Sequence, residues 1–147
     1  MTRIVPLTGA DFDEWLPLWR GYQTFYEVDI PMETTRTTFA RLTGGSEPMG
    51  AFVARDGTGD AIGIVHWITH RSCWTTGDYC YLQDLYVADG VRGGGVGRKL
   101  IEAVYDVARE RGCSRVHWLT QFTNDRAMIL YDKSATKSGF LQYVKRF

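Results

Sequence analysis

Four glycines in five positions, Gly93, Gly94, Gly95 and Gly97, separate an apolar run from an amphipathic one. The apolar run, residues 79–87, is rich in Tyr, Leu and Val. Gly77 and Asp78 precede it and Asp89 and Gly90 follow it, which predicts a strand. After the glycines, Leu100, Ile101, Val104, Val107 and Ala108 recur at helical spacing opposite Arg98, Lys99, Glu102, Asp106, Arg109 and Glu110, and Gly112 is a natural stop. Glycines at a helix start leave backbone N–H groups bare at the positive end of the helix dipole. That is an anion site, most naturally for phosphate, and Arg92, Arg98 and Lys99 add charge to it. The same run also serves as a plain strand-to-helix turn that binds nothing.

Spacing removes two phosphate motifs. The dinucleotide pattern G-x-G-x-x-G fails from Gly93, where Arg98 takes the last glycine's place, and from Gly95, where Leu100 does. A P-loop needs Gly-Lys-Ser/Thr, whereas Gly97 is followed by Arg98 and Lys99. Other reactive types are scattered. His66 and His70 share one face of a predicted strand, but no further ligand is identifiable, so two ordinary strand histidines are expected and no metal site. Cys73, Cys80 and Cys113 lack C-x-x-C spacing and read as small apolar residues, neither disulfides nor nucleophiles. Glu27, Asp29 and Glu33 cluster around Pro31, either as a solvated loop or as a lure for a cationic amine.

The elements that must position these groups follow from patterning. A weak first strand lies at residues 3–7. Phe12, Trp15, Trp19, Tyr22 and Tyr26 then line one helical face over 11–26, interrupted by Pro17, so the helix is expected to kink there or to start near Leu16. The stripe is expected to pack on a sheet, with Tyr22 or Tyr26 free to wall a pocket. A second helix is expected over 34–42 with a threonine cap, ended by Gly44 and Gly45. Residues 49–55 and 61–69 form a hairpin about the Gly57/Gly59 turn. After the central strand and its helix come a strand at 115–120, a helix at 124–137 and a last strand at 140–147. The expected class is α/β, a mixed sheet with helices on its faces, in one domain spanning 1–147. A chain of 147 residues buries roughly 70% of its unfolded surface, enough for a core without disulfides. Its formal net charge of zero points to neither nucleic acid nor an acidic membrane, and no apolar run reaches transmembrane length, so a cytoplasmic protein is expected.

What does fit the glycine run is Arg92-x-x-Gly95-x-Gly97 directly after a strand. This resembles the acyl-CoA pyrophosphate loop of the GNAT superfamily of N-acetyltransferases. Asn124, Ala127, Leu130, Tyr131 and Lys133, followed by Gly139 and Phe140, resemble the helix that closes the far side of the CoA site in that superfamily. The wording of this region is similar to the subgroup of small yeast histone and polyamine acetyltransferases and, more distantly, to spermidine/spermine N-acetyltransferase. The resemblance implies a mostly antiparallel sheet with a splayed central strand and acetyl-CoA as co-substrate. It implies that Arg92, Gly93, Gly94, Gly95, Val96 and Gly97, with Arg98, cradle the pyrophosphate through backbone N–H groups. The main chain of Leu85, Tyr86 and Val87 would run beside the pantetheine arm. Asn124 would bond that arm, Ala127 would line the same wall, Lys133 would sit near the phosphates, and Tyr131 would protonate the departing thiolate.

One position departs from that pattern. The polyamine-type relatives carry a glutamate immediately before the strand's aspartate as a favoured general base; here it is Gln83. Asp84 alternates onto the opposite face from Gln83 and substitutes only if the strand splay redirects it. A water relay to Glu27, Asp29 or Glu33, or an acceptor of lower pKa, would also serve. Direct attack by a primary amine on the thioester is the expected reaction, with Tyr26, Glu27, Asp29 and Gln83 on the acceptor side. A non-catalytic acyl-CoA sensor is the alternative that Gln83 leaves open. An open sheet edge and the resemblance together lead us to expect a homodimer.

Overall fold

The computed structural model describes residues 1–91 and 94–147. Arg92 and Gly93, both assigned to the phosphate cradle from sequence, lie outside the described residues. Strands β1 (Arg3–Pro6), β2 (Met49–Arg55), β3 (Ala61–His70), β4 (Tyr79–Val87) and β5 (Arg115–His117) form one sheet in that order. The first four are antiparallel neighbours, and β5 pairs with β4 in parallel. That parallel pairing covers only Tyr79–Tyr81, so β5 and the C-terminal half of β4 diverge. Among the described residues no helix is long and apolar enough to cross a membrane.

Helices α1 (Phe12–Phe25) and α2 (Met32–Thr43) cover one face of the sheet, while α3 (Val96–Glu110) covers the other and α4 (Asp125–Ser134) packs beside it. Alternation along the strands supplies both cores. Ala51, Val53 and Ile64 meet Trp15, Leu18, Trp19, Phe39 and Leu42 on the first face. Val65, Trp67, Cys80 and Leu82 meet Val96, Leu100, Ile101 and Val104 on the second. The expected aromatic stripe of α1 is therefore a packing face. Trp15 and Trp19 are stacked at 5.9 Å, Trp19 and Tyr22 at 5.0 Å, and Tyr22 tilts against Tyr26 at 4.8 Å, each step one helical turn further.

Three expectations need correction. The first long helix does not wait for Leu16: it begins at Phe12 and runs through Pro17. A capping box between Thr8 and Asp11 winds the preceding turn, and Arg55 on β2 holds Asp11 and Glu14 at 2.9 Å each, which fixes the start upstream of the proline. The second helix starts at Met32 after Pro31, with no side-chain cap; Thr35, near the expected cap, is instead buried in its first turns. Finally, residues 140–147 form no strand, and Phe140, Leu141, Tyr143, Val144 and Phe147 are exposed. A strand needs a pairing partner, and among the described strands none pairs with this segment.

One irregularity in β4 decides what the sheet presents. Leu82 pairs with Trp67 and Asp84 with His66, so Gln83 is an extra residue without a partner on β3. Before this bulge the even residues Cys80 and Leu82 face α3; after it the odd residues Leu85 and Val87 do. Without the bulge Asp84 would follow Leu82 into that apolar core. With it, Asp84 and Tyr86 turn to the α1 face, and Gln83 is left in solvent. Asp84 is thus redirected by this bulge, and not by the splay that the sequence led us to expect. α1 seats closely here: a Cβ on Gly21 would lie 2.6 Å from the Tyr86 hydroxyl oxygen.

Candidate active site

Asp84 is 8% exposed and does not stand alone. Its Oδ2 lies 2.9 Å from His66 Nδ1, and His66 Nε2 accepts a 3.0 Å hydrogen bond from Trp15 Nε1–H. His66 is 2% exposed. The expectation of two ordinary strand histidines fails for His66, which joins a buried network, whereas exposed His70 turns its Nδ1 to the Arg71 carbonyl. Among the described residues no group of three or more His, Cys, Asp or Glu side chains is placed to hold a metal ion.

Around the Asp84 carboxylate stand three phenols, Tyr22 on α1, Tyr26 at its C-terminal end and Tyr81 on β4. Burial first, and then the neighbouring Asp84 charge, raise the hydroxyls of Tyr22, Tyr26 and Tyr81 above the usual phenol range. Tyr131 on α4 is pushed up to about 12, by burial and then by Tyr26. Tyr26 is therefore the neighbour common to Asp84 and Tyr131, and all four phenols keep their protons at neutral pH. Tyr131 also meets Trp118 edge-on at 5.5 Å, and with Tyr81 it lines a cavity of about 680 Å³ between β5, α4 and the C-terminal segment.

The other acceptor-side candidates are less engaged. Glu27, Asp29 and Glu33 are exposed in and after the loop that ends α1, and none is among the groups that raise the phenols. Glu27 adopts a left-handed φ of 55°. Sequence reasoning missed His66, Trp15 and Tyr81. The detectable signal was the broken alternation in β4, where Leu82 and Leu85, three apart, both belong to one core.

The glycine run has a distinct reason at each described position. Gly95 is the residue before α3 and has φ 78°, ψ 9°, a conformation that favours glycine. Gly97 lies where a Cβ would sit 3.1 Å from Leu130 Cδ2, so the helix start and α4 approach closely only with a minimal residue. Among the described residues no side chain caps α3 and no acid occupies its first turn. Gly94, Gly95 and Arg98 are exposed, whereas Val96 buries its side chain and offers only backbone. On the opposite wall, Asn124 is the residue before α4, and its Oδ1 accepts from Ala127 N–H at 3.4 Å. Lys133 is exposed in the last turn of α4. Tyr105 Oη–H donates to the Ser134 carbonyl at 2.6 Å, tying α4 to α3. This bare, uncapped, glycine-turned helix end fits a pyrophosphate group. Burial pushes the Cys80 thiol up to about 12 and raises that of Cys113, which disfavours the thiolate at both, while Cys73 is exposed.

The fold and this site describe an α/β protein in which a buried carboxylate, Asp84, stands among Tyr22, Tyr26 and Tyr81 on a strand that diverges from its parallel neighbour, and a helix with a bare start at Gly95 follows that strand. Residues 13–135 match the acetyltransferase (GNAT) family, and the chain belongs to it. The D-amino-acid N-acetyltransferase HPA3 of Saccharomyces cerevisiae is 42% identical over 134 residues, covering 90% of this chain and 83% of that protein. The thialysine N-epsilon-acetyltransferase of Bos taurus is 36% identical over 90 residues, 61% of this chain and 48% of that protein, so the chain spans about half the length of this relative. Among solved structures, the ribosomal-protein-alanine N-acetyltransferase of Brucella melitensis superposes over 100% of both chains at TM-score 0.83 and 24% identity. AAC(6')-Iy in complex with the bisubstrate analog CoA-S-monomethyl-acetylneamine superposes at TM-score 0.84 and 17% identity, covering 100% of this chain and 99% of that one. The chain is accordingly an acetyl-CoA-dependent N-acetyltransferase acting on amines.

Proposed function

We propose that Asp84 is the general base and Tyr131 the proton donor of this reaction, and that the acceptor is the amino group of a small amino-acid-type molecule. The observation that carries the proposal is the β4 bulge, which turns Asp84 out of the α3 core toward Tyr22, Tyr26 and Tyr81. The acceptor class rests on the relatives named for D-amino acids and thialysine. In this reading residues 1–147 act as one domain. Gly94, Gly95, Val96, Gly97 and Arg98 hold the pyrophosphate through backbone and charge. Leu85, Tyr86 and Val87 flank the pantetheine arm with their main chain. Asn124, Ala127 and Lys133 form the far wall, and since Asn124 Oδ1 is engaged as a cap, its amide nitrogen is left for the ligand.

Bound acetyl-CoA supplies an activated acyl carbon and a thiolate leaving group. An amine of ordinary pKa near 10 arrives as an ammonium ion at neutral pH, and the phenol faces around Asp84 suit a cation. Asp84 takes one proton from it, freeing the nitrogen lone pair. Tyr131, protonated at every working pH, donates a hydrogen bond to sulfur. Complete transfer from a phenol near 12 to a thiolate of ordinary pKa near 8.5 is uphill by roughly 5 kcal/mol, so the phenol's main contribution is the charge it stabilises as the bond breaks. Tyr131→Phe is expected to lower kcat by about 10- to 100-fold with little change in the KM for acetyl-CoA. The assay is free-thiol release from acetyl-CoA with D-amino acids, thialysine, polyamines and a lysine peptide. Turnover with amino acids and a Tyr131-dependent kcat are expected; thiol release at background with every amine sinks the reading.

We further propose a cytoplasmic homodimer. The exposed apolar residues of 140–147, next to the three-residue edge strand β5, support the dimer, and the three free cysteines support a reducing compartment. Light scattering is expected to give twice the 16.7 kDa chain mass, and a monomer at all micromolar concentrations would refute it.

A further inference from the structure

Ala51, His66 and Asp84 lie on one rung across β2, β3 and β4, under Trp15 and Trp19 of α1. Trp15 can only donate, so its Nε1–H at 3.0 Å requires a lone pair on His66 Nε2. A neutral imidazole with Nε2 unprotonated carries its hydrogen on Nδ1. That hydrogen points at Asp84 Oδ2, 2.9 Å away, and the carboxylate accepts it. Placing a second proton on Nε2 would set two N–H donors against each other inside a site of 0% exposed Trp15 and 2% exposed His66. The indole thus acts as a stop on the far nitrogen. His66 neither takes the substrate's proton nor passes it on, and the charge of the pair stays on Asp84.

We infer that His66, held by Trp15 as the Nδ1–H tautomer, is a positioning residue that keeps the Asp84 carboxylate ionised and orients it toward the acceptor amine. This rests on the reading of Asp84 as the base. The groups facing His66 are few. Among the described residues Asp84, from β4, is the charged one. From α1 come Trp15 and Trp19, and from β2 Ala51, with Tyr22, Tyr26 and Tyr81 grouped around the carboxylate.

The test combines histidine nitrogen NMR with pH profiles of kcat/KM. In the wild type, His66 shows the Nδ1–H tautomer unchanged between about pH 5.5 and 8.5, the window in which an unconstrained imidazole titrates. Trp15→Phe frees Nε2, and His66 then takes a second proton within that window. His66→Leu removes the donor to Asp84, so the acid limb of kcat/KM moves up by about one to two pH units, while His66→Asn, which keeps an N–H near Nδ1, restores most of the shift. Circular dichroism confirms that each variant folds, and the wild-type tautomer needs no variant at all. An Nε2–H tautomer, a wild-type imidazolium within the window, or a folded His66→Leu with an unmoved acid limb overturns the positioning role. Wild-type turnover in Asp84→Asn overturns Asp84 as the base whatever the tautomer, so the two failures are distinguishable.

Discussion

Asp84→Asn is expected to lower kcat/KM at pH 7 by roughly 10²- to 10⁴-fold, the range of a lost general base. The substitution is chosen because its structural cost is small. Asparagine has the shape of aspartate, and its Oδ1 can still accept from His66 Nδ1–H, so the buried rung from β2 to β4 keeps its hydrogen bond. What disappears is the ability to take a proton. A lysine-like amine is neutral in only about one molecule in a thousand near pH 7, and the variant must wait for that fraction. The deficit therefore shrinks as pH rises toward the amine's own pKa, whereas a variant that was merely misfolded would remain impaired. Steady-state kcat/KM from pH 6 to about 10 measures it. A neutral-pH rate close to wild type would remove Asp84 from the chemistry.

The largest expected loss of stability comes from Leu100→Ala, about 3–5 kcal/mol in urea unfolding, equivalent to a melting temperature lower by roughly 10 °C or more. Leu100 is 0% exposed, on the face of α3 that meets β3. Opposite it stands Gly63, where a Cβ would already lie 3.2 Å from Leu100 Cδ1. The floor of the site is thus strand backbone, which cannot swing in to fill the hole as a side chain would. Ile101 and Val104, 1% and 0% exposed, are held by the same sheet. A loss below about 1.5 kcal/mol would mean that the helix slides to close the cavity, in contradiction to that rigid contact.

Much of this was legible in sequence because it depended on short-range patterns. The glycine run, the helix after it and the β2–β3 hairpin are local, and the two residues that separate the strand's cradle from alternatives, Gly95 and Gly97, have individual steric reasons. The aromatic stripe of α1 was legible for the same reason, since its spacing alone assigns it to packing. What escaped depended on pairing across the sheet. A helix start set by Arg55 from β2 is invisible to a reading that sees only Pro17. The network of Trp15, His66 and Asp84 joins residues 51 and 18 apart in the chain, each of which is unremarkable in its own segment. The absence of a strand at 140–147 is of the same kind: the residues have strand composition, but no described neighbour offers an edge to them.

Gln83 has a consequence that differs for its side chain and its backbone. The side chain ends in solvent, so exchanging it for another polar residue changes little beyond what water touches. The residue itself is taken up by the bulge, so Leu82 and Asp84 on either side of it face opposite sides of the sheet as direct neighbours would. Its deletion would leave Leu82 and Asp84 as direct neighbours opposite Trp67 and His66, so Asp84 would keep the α1 face, Leu85 and Val87 would keep the core they share, and only the local twist of the bulge would be lost. A substitution at position 83 is therefore a surface edit, and what the bulge protects is the seat of Asp84 opposite His66 rather than the identity of the residue it holds.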